Sequence, residues 1–166
     1  QAEAPGATAQ ERGVLVANTS FRIAPWADAL FAMDRQWWEV HLDEVNSVFK
    51  GVRYSTNPLP ERFMTTNLSL DDIATYGNSG AACISLAALC GAAKIVLLGY
   101  DCQKTDGKSH WHGDHPRQLD NAKRINTWPA KFAEQAKNLN GVSVVNCSRA
   151  TALDCYPRAK LEDALC

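Results

Sequence analysis

Residues 78–116 read NSGAACISLAALCGAAKIVLLGYDCQKTDGKSHWHGDHP. Three kinds of structure follow one another in this stretch. In 79–89 small and apolar residues predominate, Ile84, Ala88 and Gly91 share a face at helical spacing, and Ser79 is a good N-cap. The segment therefore predicts a helix opening on Asn78-Ser79-Gly80. Residues 94–98 form a continuous β-rich apolar run, the pattern of an interior strand in a parallel sheet. That run ends on Gly99-Tyr100-Asp101, and a polar loop with three of the chain's four histidines follows. Helix N-termini attract anions, and open α/β sheets bind ligands beyond the carboxyl ends of their strands. Asn78, Ser79, Gly80, Gly99 and Asp101 thus make a candidate small-ligand site with titratable groups beside it.

The flanking sequence repeats the alternation of strand and helix. Residues 14–17 form a short apolar run after Gly13, and 29–33 a second one after Pro25-Trp26, each reading as a strand. Residues 35–48 have helical spacing, with Trp38, Leu42, Val45 and Phe49 on one face. Weaker strands are expected at 52–55 and 63–67, separated by a proline-containing loop. Residues 120–125 and 127–139 look helical, the second tolerating Pro129 in its first turn. A strand is expected at 142–145 and a short terminal helix at 161–165. Strands alternating with helices predict an α/β fold: a three-layer sandwich with a mostly parallel sheet and helices on both faces. In such a sheet Asn18, Asp34 and Asp101 each follow the end of a strand, so they would gather on one edge near the start of the 79–89 helix.

Composition narrows the function classes. The chain has 166 residues, 46% hydrophobic and 21% charged, with a net charge of −1. These are values of an ordinary globular domain, and no basic stripe marks a nucleic-acid surface. No apolar run approaches the ~20 residues that span a bilayer. Residues 1–12 read as a leader or the tail of a helix and lack the basic start and apolar centre of a signal peptide, with further residues expected before Gln1. None of the six cysteines forms a C-x-x-C pair. Cys83, Cys90 and Cys147 lie in apolar segments, so buried thiols in a reducing cytoplasm are expected rather than a disulfide framework. Trp38 and Trp128 fall on apolar helix faces, whereas Trp26 and Trp37 are candidates to line a pocket or a subunit contact.

The loop His110-Trp111-His112-Gly113-Asp114-His115 admits two chemistries. As H-x-H-x-D-H it resembles the metal-binding motif of the metallo-β-lactamase superfamily, in which His110, His112, Asp114 and His115 would ligate zinc. No histidine follows His115 to complete that set, and His41 lies upstream on a helix. The other chemistry is acid–base: a histidine beside a carboxylate exchanges a proton near neutral pH.

The segments VANTSFRIAPWADALFAMDRQWW, NSGAACISLAALCGAAKIVLLGYD, HWHGDHP and VSVVNCSRATALDCYPRAKLEDAL occur in this order along the chain. On them, residues 13–165 resemble a set of phage-encoded proteins often labelled norphogenetic proteins, whose biochemistry is undetermined. More distantly, the layout is similar to bacterial sialyltransferases with a single nucleotide-binding α/β domain. In those enzymes a small-residue helix opens with Ser-Gly, a strand ends in Gly-x-Asp, and a histidine loop supplies the general base. The resemblance implies one Rossmann-like nucleotide-binding domain over 13–166 and a nucleotide-sugar donor such as a CMP-sugar, with no metal required. It would put Ser79 and Gly80 on the nucleotide, Asn18 and Asp34 near the donor's phosphate or sugar, and Asp101 at the strand end. His110 would be the base, with His115 the competing choice. Where that family has phosphate-binding tyrosines after Gly-x-Asp, this chain has Cys102-Gln103, and the family's opening strand and Gly-x-Gly-Pro-Ser-type loop would lie upstream of Gln1. The alternative on the same fold is a non-catalytic virion or assembly protein. The resemblance thus implies action in the host cytoplasm during infection or in the particle, alone, as a homo-oligomer or with other phage proteins.

Overall fold

The computed structural model describes residues 12–103, 119 and 125–166. Among these residues the order of elements is β1 (Leu15–Ala17), β2 (Ala29–Phe31), α1 (Arg35–Val48), β3 (Val52–Ser55), β4 (Thr66–Asn67), α2 (Ser79–Leu89), β5 (Lys94–Leu97), α3 (Trp128–Asn138), β6 (Ser143–Asn146) and α4 (Leu161–Ala164). Every strand pairing is parallel. β1, β2, β3 and β4 lie side by side in that order, with Val16 opposite Leu30 and Leu30 opposite Arg53. β5 and β6 pair separately, with Ile95 opposite Val144 and Leu97 opposite Asn146. The chain is thus an α/β protein, its parallel strands divided among the described residues into a sheet of four and a sheet of two.

Side-chain alternation along the strands puts helices on both faces of the larger sheet. Val16 and Leu30 point to one side, into a core with Trp37, Trp38 and Val45 of α1, its C-cap Phe49, and Phe21 and Phe63. Leu15, Ala17 and Phe31, one residue out of phase, pack on the other side against Ala82, Cys83 and Leu86 of α2. This is the period-2 consequence of the pleat: neighbouring residues cannot share a face. The predicted face of α1 holds, with Trp38, Val45 and Phe49 buried and Leu42 partly so. α1 stops at Phe49, which turns to extended backbone (φ −99°, ψ 126°) while its N–H still donates to Val45 O.

α2 behaves differently from α1. Ser79, Ala81, Ala82, Cys83, Ile84 and Leu86 are all buried, so the helix has no wet face along its first two turns. Ala82, Cys83 and Leu86 contact the four-stranded sheet, while Ala81 and Ile84, on the opposite side, join Leu97 of β5, Val144 of β6 and Phe132 of α3. A helix that is apolar all round belongs in the interior. Here it joins the two halves of the molecule, and its alanines permit that close packing. α3 buries Phe132 and Gln135 toward α2. The Gln135 carboxamide donates to Ala81 O at 2.7 Å and Ser85 Oγ at 2.9 Å, so this buried polar group is satisfied.

Several expectations change. The strand expected at 63–67 is only Thr66–Asn67, because Phe63 closes a 3-10 turn and is buried in the core. Trp37 is not a pocket residue: it is buried, edge-on to Phe21 and Trp38, with its Nε1–H donated to Thr19 Oγ1. Trp26, by contrast, is 71% exposed. Cys90 is exposed, since α2 ends before it, while Cys83 is buried and Cys147 half-buried. All six cysteines are free thiols.

Candidate functional site

The start of α2 is capped by Asn78 rather than by Ser79. Asn78 has extended backbone (φ −147°, ψ 129°), and its Oδ1 accepts from Gly80 N at 2.8 Å and Ala81 N at 3.1 Å. The Ala82 N–H is taken by Asn78 O at 3.0 Å. Most donors of the first turn are therefore satisfied within the chain, and Ser79 is already helical and buried. Replacing Asn78 by alanine leaves two of these N–H groups without their partner. The expected loss is about 1 kcal/mol, which for a chain of this size lowers Tm by roughly 2–4 °C. A thermal melt equal to wild type would show that water replaces the cap without loss.

The ends of β5 and β6 converge on this helix start. Tyr100 donates its hydroxyl to Gly80 O at 3.1 Å, and its ring covers Gly80 so closely that an added Cβ would sit 3.0 Å from Tyr100 Cε1. A side chain at position 80 would therefore have to displace the Tyr100 ring or the Asn78 carboxamide by a few tenths of an ångström. Tyr100 N–H donates to Ser148 Oγ at 2.8 Å and Tyr100 O accepts from Thr151 Oγ1 at 2.7 Å. Asn146, at the end of β6, holds Thr151 Oγ1 through Nδ2 and Ser148 N–H through Oδ1. Arg158 closes the network on Ser148 O at 2.8 Å, and Ala152 N–H donates to Asp101 O. The sequence reading missed this group because Asn146, Ser148 and Thr151 resemble ordinary turn formers. The available clue was their polar cluster directly after a predicted strand.

Asn18 and Asp34 stand at the carboxyl ends of β1 and β2, which are parallel neighbours, so these two expected site residues do share an edge. Neither side chain makes a hydrogen bond among the described residues; Asp34 precedes α1 without capping it. No side-chain hydrogen bond among the described residues joins Asn18 or Asp34 to Asn78 or Gly80. His110, His112, Asp114 and His115 lie outside the described residues. Among the described residues no group of histidines, cysteines and carboxylates could hold a metal ion. His41 is buried in α1 against Phe21 and Trp37, with Nδ1 3.7 Å from Glu44 Oε2.

The backbone adds an observation that no motif contains. Among the described residues, four that are not glycine have left-handed backbone: Asn18 (φ 48°), Met64 (φ 50°), Tyr76 (φ 51°) and Cys102 (φ 50°). Asn18 immediately follows β1, Cys102 immediately follows Asp101, and Tyr76 lies two residues before Asn78. Asparagine tolerates this region, but for cysteine and tyrosine it costs on the order of 1 kcal/mol and persists where the surroundings enforce it. Three such residues at the strand ends and the helix start concentrate strain on the segments expected to carry a site.

The thiols and phenols nearby are held protonated. Burial pushes the Cys83 thiol up to about 12. Cys102 is likewise pushed up to about 12, by burial first and then by the charges of Asp101 and Cys155. Burial also raises Tyr100 well above the usual phenol range. These groups lack the thiolate character of reactive cysteines. The sign for stability follows from linkage. Above the ordinary thiol value of 9.0 the unfolded chain loses protons that the folded chain keeps. The Cys83 contribution is thus complete below about pH 9 and falls as pH rises toward 12, by up to about 1.4 kcal/mol per pH unit. Urea unfolding at pH 8 and pH 10 should show this fall, with a shallower slope in Cys83→Ala; equal stability at both pH values contradicts it.

Together these features define an α/β protein of parallel strands, with two polar residues at the ends of β1 and β2 and a separate polar network where β5 and β6 end beside the start of a buried helix. No family model, curated protein or solved structure matches the chain. Among the described residues no helix is long and apolar enough to cross a membrane.

Proposed function

We propose that this chain is a phage-encoded, Rossmann-like domain that binds a nucleotide or nucleotide-sugar at the carboxyl ends of its strands and serves as a glycosyltransferase of the sialyltransferase type. The observation that carries the reading is the strand-end chemistry. Asn18 and Asp34 follow the parallel neighbours β1 and β2 with no side-chain hydrogen bond among the described residues, Asn18 holds left-handed backbone there, and Cys102 holds it beyond β5 in the smaller sheet. Polar side chains at strand ends that make no hydrogen bond among the described residues are what a ligand edge needs.

In this reading Asn18 and Asp34 hydrogen-bond the sugar or base, while Ser79 and Gly80 lie against the phosphate. His110, or His115 in its place, takes the proton from an acceptor hydroxyl. Asp101 or Asp114 orients the imidazole. The acceptor oxygen then forms a bond to the donor sugar's anomeric carbon as the bond from that carbon to the phosphate oxygen breaks, and the nucleotide leaves with the electron pair. No step needs a metal.

The test is a thermal-shift and binding series with CMP, UMP, GMP, AMP and their sugar conjugates, with zinc as a separate arm. A true ligand at 100 times its dissociation constant adds about 2.7 kcal/mol of stability. Asp34→Ala and Asn18→Gly should remove that gain while leaving the unliganded melt close to wild type. A zinc-only response would move the chemistry to the His110, His112, Asp114 and His115 loop.

One observation favours the rival reading, a non-catalytic phage assembly protein. The α2 start is already filled by the Asn78 carboxamide and covered by the Tyr100 ring. A phosphate would have to displace Asn78. No stabilisation by any nucleotide or nucleotide-sugar would leave the assembly role as the better account.

A further inference from the structure

The amino ends of the strands in the larger sheet, opposite Asn18 and Asp34, carry a second feature. There the end of α1, the start of β3 and Met64 border a pocket whose lining includes Asn46, Lys50 and Arg53. Arg53 is only 7% exposed. Its Nη1 donates to Asn46 Oδ1 at 2.7 Å and more weakly to Phe63 O at 3.4 Å, and its Nη2 donates to Phe49 O at 3.5 Å. All three acceptors are neutral. The Nε–H has no acceptor among the described residues, and Nη2 has only the long contact to Phe49 O.

A buried cation facing only neutral acceptors is costly, and a carboxylate or metal-free anion is its usual remedy. No carboxylate lines this pocket, while a second cation, Lys50, does. Lys50 is solvent-exposed, its Nζ reaching no closer than 3.4 Å to Asn46 O. Burial draws the Arg53 guanidinium below its ordinary value, with no acidic neighbour opposing the effect. Arg53 also serves the α1 C-terminus through Phe49 O. That structural role engages the two Nη nitrogens and leaves the Nε–H, a charged donor that an oxyanion can take.

We propose that this pocket binds an oxyanion, the carboxylate or phosphate group of a small solute, between the Nε–H of Arg53 and the ammonium of Lys50. The site is separate from the strand-end site and does not depend on it.

The test is a titration at low ionic strength with inorganic phosphate in one arm and succinate in the other, with chloride as control, read from amide and guanidinium nitrogen shifts. The expected result is saturable movement of Lys50, Gly51, Val52 and Arg53 Nε with phosphate, succinate or both, and the responding arm identifies the anion. Lys50→Gln, an exposed change that spares the fold, should weaken binding by roughly fivefold, the weight of one partly solvated charge pair. Arg53→Lys keeps the charge but removes the Nε–H and should weaken it further. Shifts confined to residues 79–81 would assign the anion to the start of α2 and overturn the proposal. So would saturation in neither arm, or an affinity that Lys50→Gln leaves unchanged.

Discussion

Trp38→Ala should lower the free energy of unfolding by about 4 kcal/mol, in the range for truncating a buried aromatic side chain. Trp38 is fully buried, and its ring meets Trp37 edge-on with centroids 5.2 Å apart at 87°. Its Nε1–H donates to Ala32 O at 3.0 Å, fastening α1 to the residue that follows β2. Alanine would open a cavity among Val16, Leu30, Phe21 and Val45 and strand that carbonyl in the core. The measurement is equilibrium urea unfolding. Trp26→Ala is the control: Trp26 is 71% exposed and should change stability by less than about 0.5 kcal/mol. A Trp38 variant within about 1 kcal/mol of wild type would mean that the α1 core is not packed as described.

The second large effect is expected at Gly51, which links α1 to β3. A Cβ there would run into the carbonyl oxygen of Asp28, and would lie 2.5 Å from Ala27 O and 2.7 Å from Asp28 C. These are backbone atoms of the segment entering β2 and cannot rotate away. Relief requires β3 to move from β2, which breaks the Val52 N–Asp28 O hydrogen bond of 2.8 Å that begins their pairing. Overpacking of this kind costs on the order of 3 kcal/mol. Gly51→Ala should therefore unfold at lower urea, with faster amide exchange at Val52 and Tyr54 than at Ile95 or Val96. Unchanged exchange in β3 would show that the strands accommodate the methyl group.

The two predictions concern elements that differ in how plainly the sequence announces them. α1 is legible because Trp38, Leu42, Val45 and Phe49 recur at the period of a helix with one buried face. β5 is legible because an uninterrupted run of β-branched and aliphatic residues has few other uses. α2 is visible as a helix, but its cap is not. Asn78 and Ser79 are adjacent and both can cap, and the choice depends on which residue has extended backbone when α2 docks. Gly51 carries no local signal at all, since its constraint comes from Ala27 and Asp28, more than twenty positions earlier.

The candidate site divides in the same way. Asn18 and Asp34 could be named because polar residues directly after apolar runs mark strand ends, and parallel pairing then puts them together. The Tyr100 ring over Gly80 and the Asn146–Ser148–Thr151 network were not legible, because their partners are distant in the chain. Trp37 looked available for a pocket until α1 turned it toward Phe21. Arg53 read as an ordinary strand residue and is instead a buried cation at the end of α1.

By itself, then, the sequence determined the α/β class, most of the helices and strands, and two polar residues at strand ends, because each follows from periodicity or from a local turn. Tertiary structure alone decided the division of the described strands into two sheets, the burial of α2 on opposite sides, the cap at Asn78, and which polar groups the fold itself consumes. Those outcomes depend on excluded volume and hydrogen-bond satisfaction between segments far apart in the chain, and no local pattern encodes them.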